Sequence, residues 1–174
     1  MTPTSPVPSA PRSPWQLLYA AAHARRRRRA AASAERLPRP VVSVGNLHWG
    51  GTGKTPVVLA LAEHLRDRGR QVAVLSRGYR RTSRGARIVS RGAGPLLPVA
   101  AAGDEPHLLA RDLPGVAILV GARRAEAGRL ALAELSPPPD LFLLDDGFSH
   151  LALARDLDLL VLPAADPFGG GRLW

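Results

Sequence analysis

The stretch VVSVGNLHWGGTGKTPVVLALAEHL, from Val41 to Leu65, constrains this chain more than any other. It runs from β-branched residues through a glycine-rich loop directly into a helical pattern. Val41–Gly45 reads as a short buried strand, by its β-branched content and its glycine stop. A helix is expected from about Thr55 to Arg68, with Pro56 in its first turn, where no backbone N–H is required, and Gly69 closing it. Successive backbone N–H groups at such a strand-to-helix turn form an anion nest, and the helix start adds partial positive charge. The strict phosphate-loop pattern is G-x-x-x-x-G-K-[ST]. Gly53, Lys54 and Thr55 meet its last three positions, whereas His48 stands where the first glycine belongs and Gly50 and Gly51 supply the flexibility. The expected phosphate cradle is therefore Gly50, Gly51, Thr52, Gly53, Lys54 and Thr55. Lys54 would reach the β- and γ-phosphates of ATP, and Thr55 would place its hydroxyl on Mg²⁺. The plain alternative is an ordinary glycine-rich turn ahead of a helix.

Composition sharpens the reading of Lys54. Of 24 basic residues it is the only lysine. A chain that uses arginine wherever a positive charge serves keeps lysine where a compact ammonium on a slim stem is needed. The net charge is +10, and residues 1–39 set eight arginines against Glu35 alone. Such a balance points to an anionic partner. There is no cysteine, which excludes disulfides and thiolate metal sites. The five histidines show no metal-ligand spacing.

The rest of the chain alternates between strand and helix patterns. Residues 1–14 are rich in Pro and Ser and read as disordered. Residues 15–37 read as an amphipathic basic helix, with Trp15, Leu18, Tyr19 and Ala22 on one face, Arg25–Arg29 following, and Pro38 and Pro40 beyond its end. After the loop and its helix come a strand at Gln71–Ser76, a Gly- and Arg-rich stretch with one short strand candidate (ARIVS), and a short helix at Asp104–Leu113. A strand at Val116–Gly121, a helix at Arg123–Leu135 and strands at Asp140–Asp146 and Leu157–Ala164 complete the pattern. Near-continuous apolar runs in alternation with helices predict an α/β fold with a parallel sheet of phosphate-loop NTPase type, flanked by helices. Residues 38–174 are expected to form this core. Asp145 and Asp146 end a buried strand, where such sheets place their ligands and where phosphate-loop proteins hold their metal. The plain alternative for that pair is a polar strand end capping the next turn.

Together these stretches resemble the tetraacyldisaccharide 4'-kinases of lipid A biosynthesis. The resemblance rests on VVSVGNLHWGGTGKTP, VAVLSRGYRR, GDEPHLLA, VGARRAEA, LLDDGFSH, RDLDLLVL and DPFGGGRLW, in the family's order and over most of residues 15–174. It implies transfer of the γ-phosphate of ATP to the 4'-hydroxyl of an acylated glucosamine disaccharide 1-phosphate. By the same resemblance Lys54 and Thr55 contact phosphate and Mg²⁺, Asp104 activates the acceptor hydroxyl, Asp145 and Asp146 bind metal, and Tyr79 and Arg124 lie near substrate and phosphates. From the residues alone, Asp104-Glu105-Pro106 is only an acidic helix start.

A lipid acceptor gives the basic N-terminal helix a use. Trp15, Leu17, Leu18 and Tyr19 would enter an anionic membrane surface, with Arg25–Arg29 on head groups, so that residues 15–29 make a peripheral contact. The place implied is the cytoplasmic side of the inner membrane. The plain alternative packs that apolar face on the domain. No nucleic-acid partner is expected, because no aromatic platform interleaves with the arginines. Two departures from the family stand out: Ser149 replaces its usual Gln, and the family continues well beyond FGGGRL. The chain is thus expected to be truncated, to bind ATP and to transfer phosphate weakly or not at all. The competing readings are a truncated homologue that holds nucleotide without transfer, and a phosphate-loop ATPase of the partitioning or metallochaperone kind.

Overall fold

The structure is a computed structural model and describes residues 14–46 and 53–164. Of the expected disordered start, residues 1–13 lie outside the described residues, as do residues 165–174. In chain order the elements are α1 (Pro14–Ala32), β1 (Val41–Asn46), α2 (Lys54–Asp67), β2 (Val72–Ser76), β3 (Arg87–Arg91), α3 (Val99–Ala102), α4 (Asp104–Asp112), β4 (Ala117–Val120), α5 (Arg124–Glu134), β5 (Leu141–Asp145) and β6 (Leu157–Val161).

The six strands form one sheet in the order β3-β4-β2-β5-β1-β6. Five are parallel, and β3 runs antiparallel to β4, with a register shift between Ile88 and Ser90. The parallel-sheet expectation is corrected at that one edge. β3 is reached from β2 through a loop without a crossover helix, and a helical crossover is what parallel neighbours require.

β5 lies inside the sheet, and its side chains alternate between two cores. Leu143 joins Val58 and Ala62 of α2 and Leu109 of α4 on one face. Phe142 and Leu144 join Ala125, Ala127 and Ala131 of α5 on the other. Burial of a side chain such as Phe142 contributes about 1.5–3 kcal/mol. Apolar runs buried from both sides are what sequence showed as unbroken LFLL and VAVL.

α1 stops at Ala32, short of the expected Leu37. The reason is a long-range capture. Glu35 N–H donates to Ala152 O (2.9 Å), Ala154 N–H donates to Glu35 O (2.8 Å), and the two segments form a parallel bridge at Leu153. The Glu35 carboxylate accepts from Arg123 (2.9 Å) and Arg129 (2.5 Å). Both guanidinium hydrogen bonds hold that carboxyl below its ordinary pKa. Leu37 then buries against Gly128, where a Cβ would collide with its methyl groups. Trp15, Leu17 and Leu18 of α1 are 79%, 55% and 61% exposed, so they do not pack into the core. No helix among the described residues is long and apolar enough to cross a membrane.

Candidate active site

The C-terminal ends of β1, β2 and β5 and the first turns of α2, α4 and α5 supply the groups that follow. Gly50, Gly51 and Thr52 lie outside the described residues. Gly53 stands at the N-cap of α2 with φ 78° and ψ 22°, a left-handed conformation that glycine adopts without a Cβ clash. Gly53 has no side chain to cap α2, and no side-chain cap is seen among the described residues. Lys54 begins the helix. Its Nζ donates to Asp146 Oδ1 (2.7 Å) and to Asn46 Oδ1 (3.0 Å), which ties the start of α2 to the ends of two strands. Thr55 follows in the first turn, half-buried.

Asp145 is the last residue of β5 and only 2% exposed. Ser76 Oγ, at the end of β2, donates to its Oδ2 (3.2 Å). Burial and the negative charge of Glu105 push its pKa up to about 6, against the pull of Ser76 and Lys54. Asp146 turns the chain with φ 52°. The turn beyond it is packed tightly. Gly147 N–H donates to Val44 O (3.0 Å), and a Cβ on Gly147 would meet Leu144 Cβ at 2.6 Å. Phe148 fills the space that a Cβ on Gly45 would need. Arg155 Nη1 donates to the carbonyls of Gly147 and Phe148, each at 3.1 Å. His150 ends this turn. Burial, then the charges of Arg124, Arg155 and Arg77, lower its pKa to about 4, so the imidazole is neutral.

Arg124 opens α5 and is 3% exposed. Its Nη1 donates to Ala122 O (3.1 Å), and its Nε is buried without a hydrogen-bond partner among the described residues. Burial, with the charge of Arg77 next, lowers its pKa to about 10, and Asp145 and Asp146 oppose the shift. A buried guanidinium with an unmet donor is suited to an anion.

The Tyr79 loop and the Asp104 turn are joined through two glycines. Gly78 (φ 67°) and Gly103 (φ 92°) sit back to back, and a Cβ on Gly103 would stand 3.2 Å from Gly78 Cα and Tyr79 O. The loop is stitched to α3 by Thr82 N–H to Ala100 O (2.7 Å) and Ser83 Oγ to Ala101 O (2.6 Å). Tyr79 is 68% exposed, with the Arg80 guanidinium 5.2 Å from its ring centroid. Arg77, Tyr79, Arg80, Arg81 and Arg84 line an open cavity of about 420 Å³. Asp104, the first residue of α4, is exposed.

The structure thus brings Lys54, Asp145, Asp146 and Arg124 into one electrostatic group, with Glu105 close enough to act on Asp145. The glycine contact sets the Tyr79 loop beside the Asp104 turn. Sequence reasoning did not assign Asn46, Ser76, Arg77, Glu105 or His150 to the site. Their one visible signal was position, each lying at a strand end or inside a motif already marked. Among the described residues no three His, Cys, Asp or Glu side chains form a metal cage.

Residues 10–174 match the tetraacyldisaccharide-1-P 4'-kinase family, LpxK. A tetraacyldisaccharide 4'-kinase of Anaeromyxobacter dehalogenans (strain 2CP-C) is 60% identical over 140 residues, 80% of this chain and 36% of the relative. Its counterpart in Geobacter sulfurreducens is 51% identical over 142 residues, 81% of this chain and 40% of the relative. The crystal structure of LpxK from Aquifex aeolicus in complex with ATP is 43% identical, with a TM-score of 0.75, over 84% of this chain and 46% of that one. The chain therefore spans less than half the length of these relatives. The glycine-paired motifs, the lysine between two strand ends and a match along nearly the whole sequence have one common source: the chain belongs to the tetraacyldisaccharide-1-P 4'-kinase family.

Proposed function

We propose that this chain supplies the nucleotide half of an ATP-dependent kinase that phosphorylates the 4'-hydroxyl of tetraacyldisaccharide 1-phosphate, giving lipid IVA in lipid A biosynthesis. The observation that carries the proposal is Lys54, held between Asn46 and Asp146 at the start of α2. The bound ATP of the Aquifex aeolicus relative supports it.

The donor set fits Mg²⁺. Asp145 is buried with its pKa raised to about 6, because burial and the charge of Glu105 outweigh the pull of Ser76 and Lys54, so its charged form gains from a bound cation. Asp145, Asp146 and the Thr55 hydroxyl would hold the ion, which when bound neutralises charge on the β- and γ-phosphate oxygens. The chain's own residues do the remainder. The N–H groups at the α2 start cradle the phosphates. Lys54 exchanges Asp146 for phosphate oxygen and draws charge off the γ-phosphoryl. Arg124, whose buried Nε–H has no partner among the described residues, donates to phosphate oxygen from the α5 side. The acceptor 4'-oxygen attacks Pγ, the bond from Pγ to the ADP oxygen breaks, and Asp104 takes the hydroxyl proton. Tyr79 and the arginines of its cavity position the disaccharide. The exposed Trp15, Leu17 and Leu18 with Arg25, Arg28 and Arg29 hold the chain peripherally on the cytoplasmic face of the inner membrane.

A second reading is nucleotide binding without transfer, for which the bound ATP of the Aquifex aeolicus relative speaks equally. Labelled γ-phosphate transfer from ATP to tetraacyldisaccharide 1-phosphate in detergent micelles separates the two. Transfer abolished by Lys54→Ala and by Asp104→Ala supports the kinase. ATP binding that depends on Lys54, with no transfer, supports the second reading. Absence of Lys54-dependent ATP binding sinks both.

A further inference from the structure

Arg155 lies between the turn after β5 and the start of β6, outside any helix or strand. Its neighbours in the chain are nonetheless pinned. Ala154 N–H donates to Glu35 O, and Asp156 N–H donates to Val41 O, each at 2.8 Å. The Asp156 carboxylate accepts in turn from Val41 N–H (2.8 Å) and from Arg36 (3.0 Å). Arg155 is thus held from both sides against the chain that leads into β1, and its side chain is only 14% exposed.

The guanidinium is committed at both ends. Nε faces Asp158 Oδ1 of β6 at 3.4 Å. Nη1 donates to the carbonyls of Gly147 and Phe148, the first two residues after Asp146. Gly147 O also accepts from His150 N–H (2.9 Å), which closes the turn, and Gly147 N–H is held by Val44 O of β1. The turn that carries Asp145 and Asp146 is therefore tied to β1 on one side and to Arg155 on the other. A charged nitrogen that donates to two successive carbonyls fixes the direction of both, and such bonds are stronger than those between neutral groups.

We infer that Arg155 is a positioning residue for the metal: by holding Gly147 and Phe148 it aims the Asp145 and Asp146 carboxylates at one ion. This role rests on the reading of those two carboxylates as the Mg²⁺ site. It gives Arg155 no contact with ATP, metal or acceptor. Groups that orient metal ligands in this way change metal affinity by about 10–100-fold when they are removed. The grip on phosphate is built separately, on the start of α2. Lys54 has a second partner in Asn46, so its place there does not hang on the turn alone.

The test is titration calorimetry of the 174-residue chain with ATP, in Mg²⁺ and in excess EDTA. The parent chain should bind ATP more tightly in Mg²⁺, and the ratio of the two affinities is the Mg²⁺ gain. Arg155→Met removes both donations and keeps much of the side chain's length. It should cut the Mg²⁺ gain at least about tenfold and leave the affinity in EDTA within about twofold. The Gly147 and His150 amides of the nucleotide-free variant should exchange at least about tenfold faster. Arg155→Lys, a shorter donor without the fork, should lose at least about threefold of the gain. An unchanged Mg²⁺ gain in Arg155→Met overturns the inference. So does an equal loss of ATP affinity in both media, which is what a merely structural role would give. If Arg155→Met does not fold, Arg155→Lys decides, and a full Mg²⁺ gain in it overturns the inference. A parent chain that binds ATP through Lys54 but gains nothing from Mg²⁺ sinks the metal reading itself, and the role of Arg155 falls with it.

Discussion

Lys54 and Asp145 face opposite electrostatic conditions within one site. Lys54 is satisfied before any nucleotide arrives, by Asn46 and Asp146. A guanidinium is too broad and too rigid a fork for that gap. Lys54→Arg should weaken ATP binding at least about tenfold, or about 1.4 kcal/mol, by titration calorimetry. Asp145 instead carries a charge whose burial Ser76 and Lys54 offset only in part. Its folded pKa, about 6, is raised above the ordinary 3.8. Its contribution to stability is therefore full below pH 3.8 and lost as pH rises through 6. At pH 7.5 the nucleotide-free chain bears the whole cost, roughly 3 kcal/mol. Asp145→Asn should raise the thermal midpoint of the nucleotide-free chain by at least about 2 °C at pH 7.5, with the gain shrinking towards pH 4.5. His150 works the other way. Its pKa is lowered from 6.5 to about 4, so its contribution is present above pH 6.5 and lost as pH falls through 4. His150→Gln should flatten that acid-side loss in urea melts between pH 6.5 and 4. At this scale the sequence made Lys54 legible because it is the only lysine. It hid Glu105 and Asn46, whose roles come from a neighbour 40 residues away in Asp145 and eight away in Lys54.

Elements were legible wherever a period or a glycine stop announced them. Each strand expected within the described residues is present, with ends shifted by a few residues. What stayed hidden was pairing. Nothing in ARIVS distinguishes an antiparallel edge from a parallel neighbour. The end of α1 was misread because Glu35 answers to Ala152 and Ala154, not to its own helix. SRGYR and GDEP were visible as separate motifs. Their union is a backbone contact between Gly78 and Gly103, both at positive φ. Gly103→Ala should cost about 2 kcal/mol in chemical denaturation, since the new methyl meets backbone and the conformation is strained. A loss below about 0.5 kcal/mol would mean that the two turns are not held by this contact.

For the whole molecule, charge and topology are the two quantities that sequence could and could not supply. The charge of +10 was plain, and so was its concentration in residues 1–39. If α1 meets a membrane, replacing Arg25, Arg28 and Arg29 with Gln should lower binding to anionic vesicles at least about tenfold, with each charge worth about 1 kcal/mol. Vesicles of neutral lipid should bind neither form in flotation. Topology was not readable, and the strand order sets a timetable for synthesis. β1 carries the phosphate loop and leaves the ribosome before the other strands, yet its partners in the sheet are β5 and β6. Val41 waits for Phe142. Until then β2, β3 and β4 can assemble among themselves, while β1 has no neighbour to pair with. A nascent chain stopped short of Asp145 would have made every residue of the loop and still have no place to hold ATP. Nucleotide binding should therefore report complete sheet assembly, arriving late and all at once.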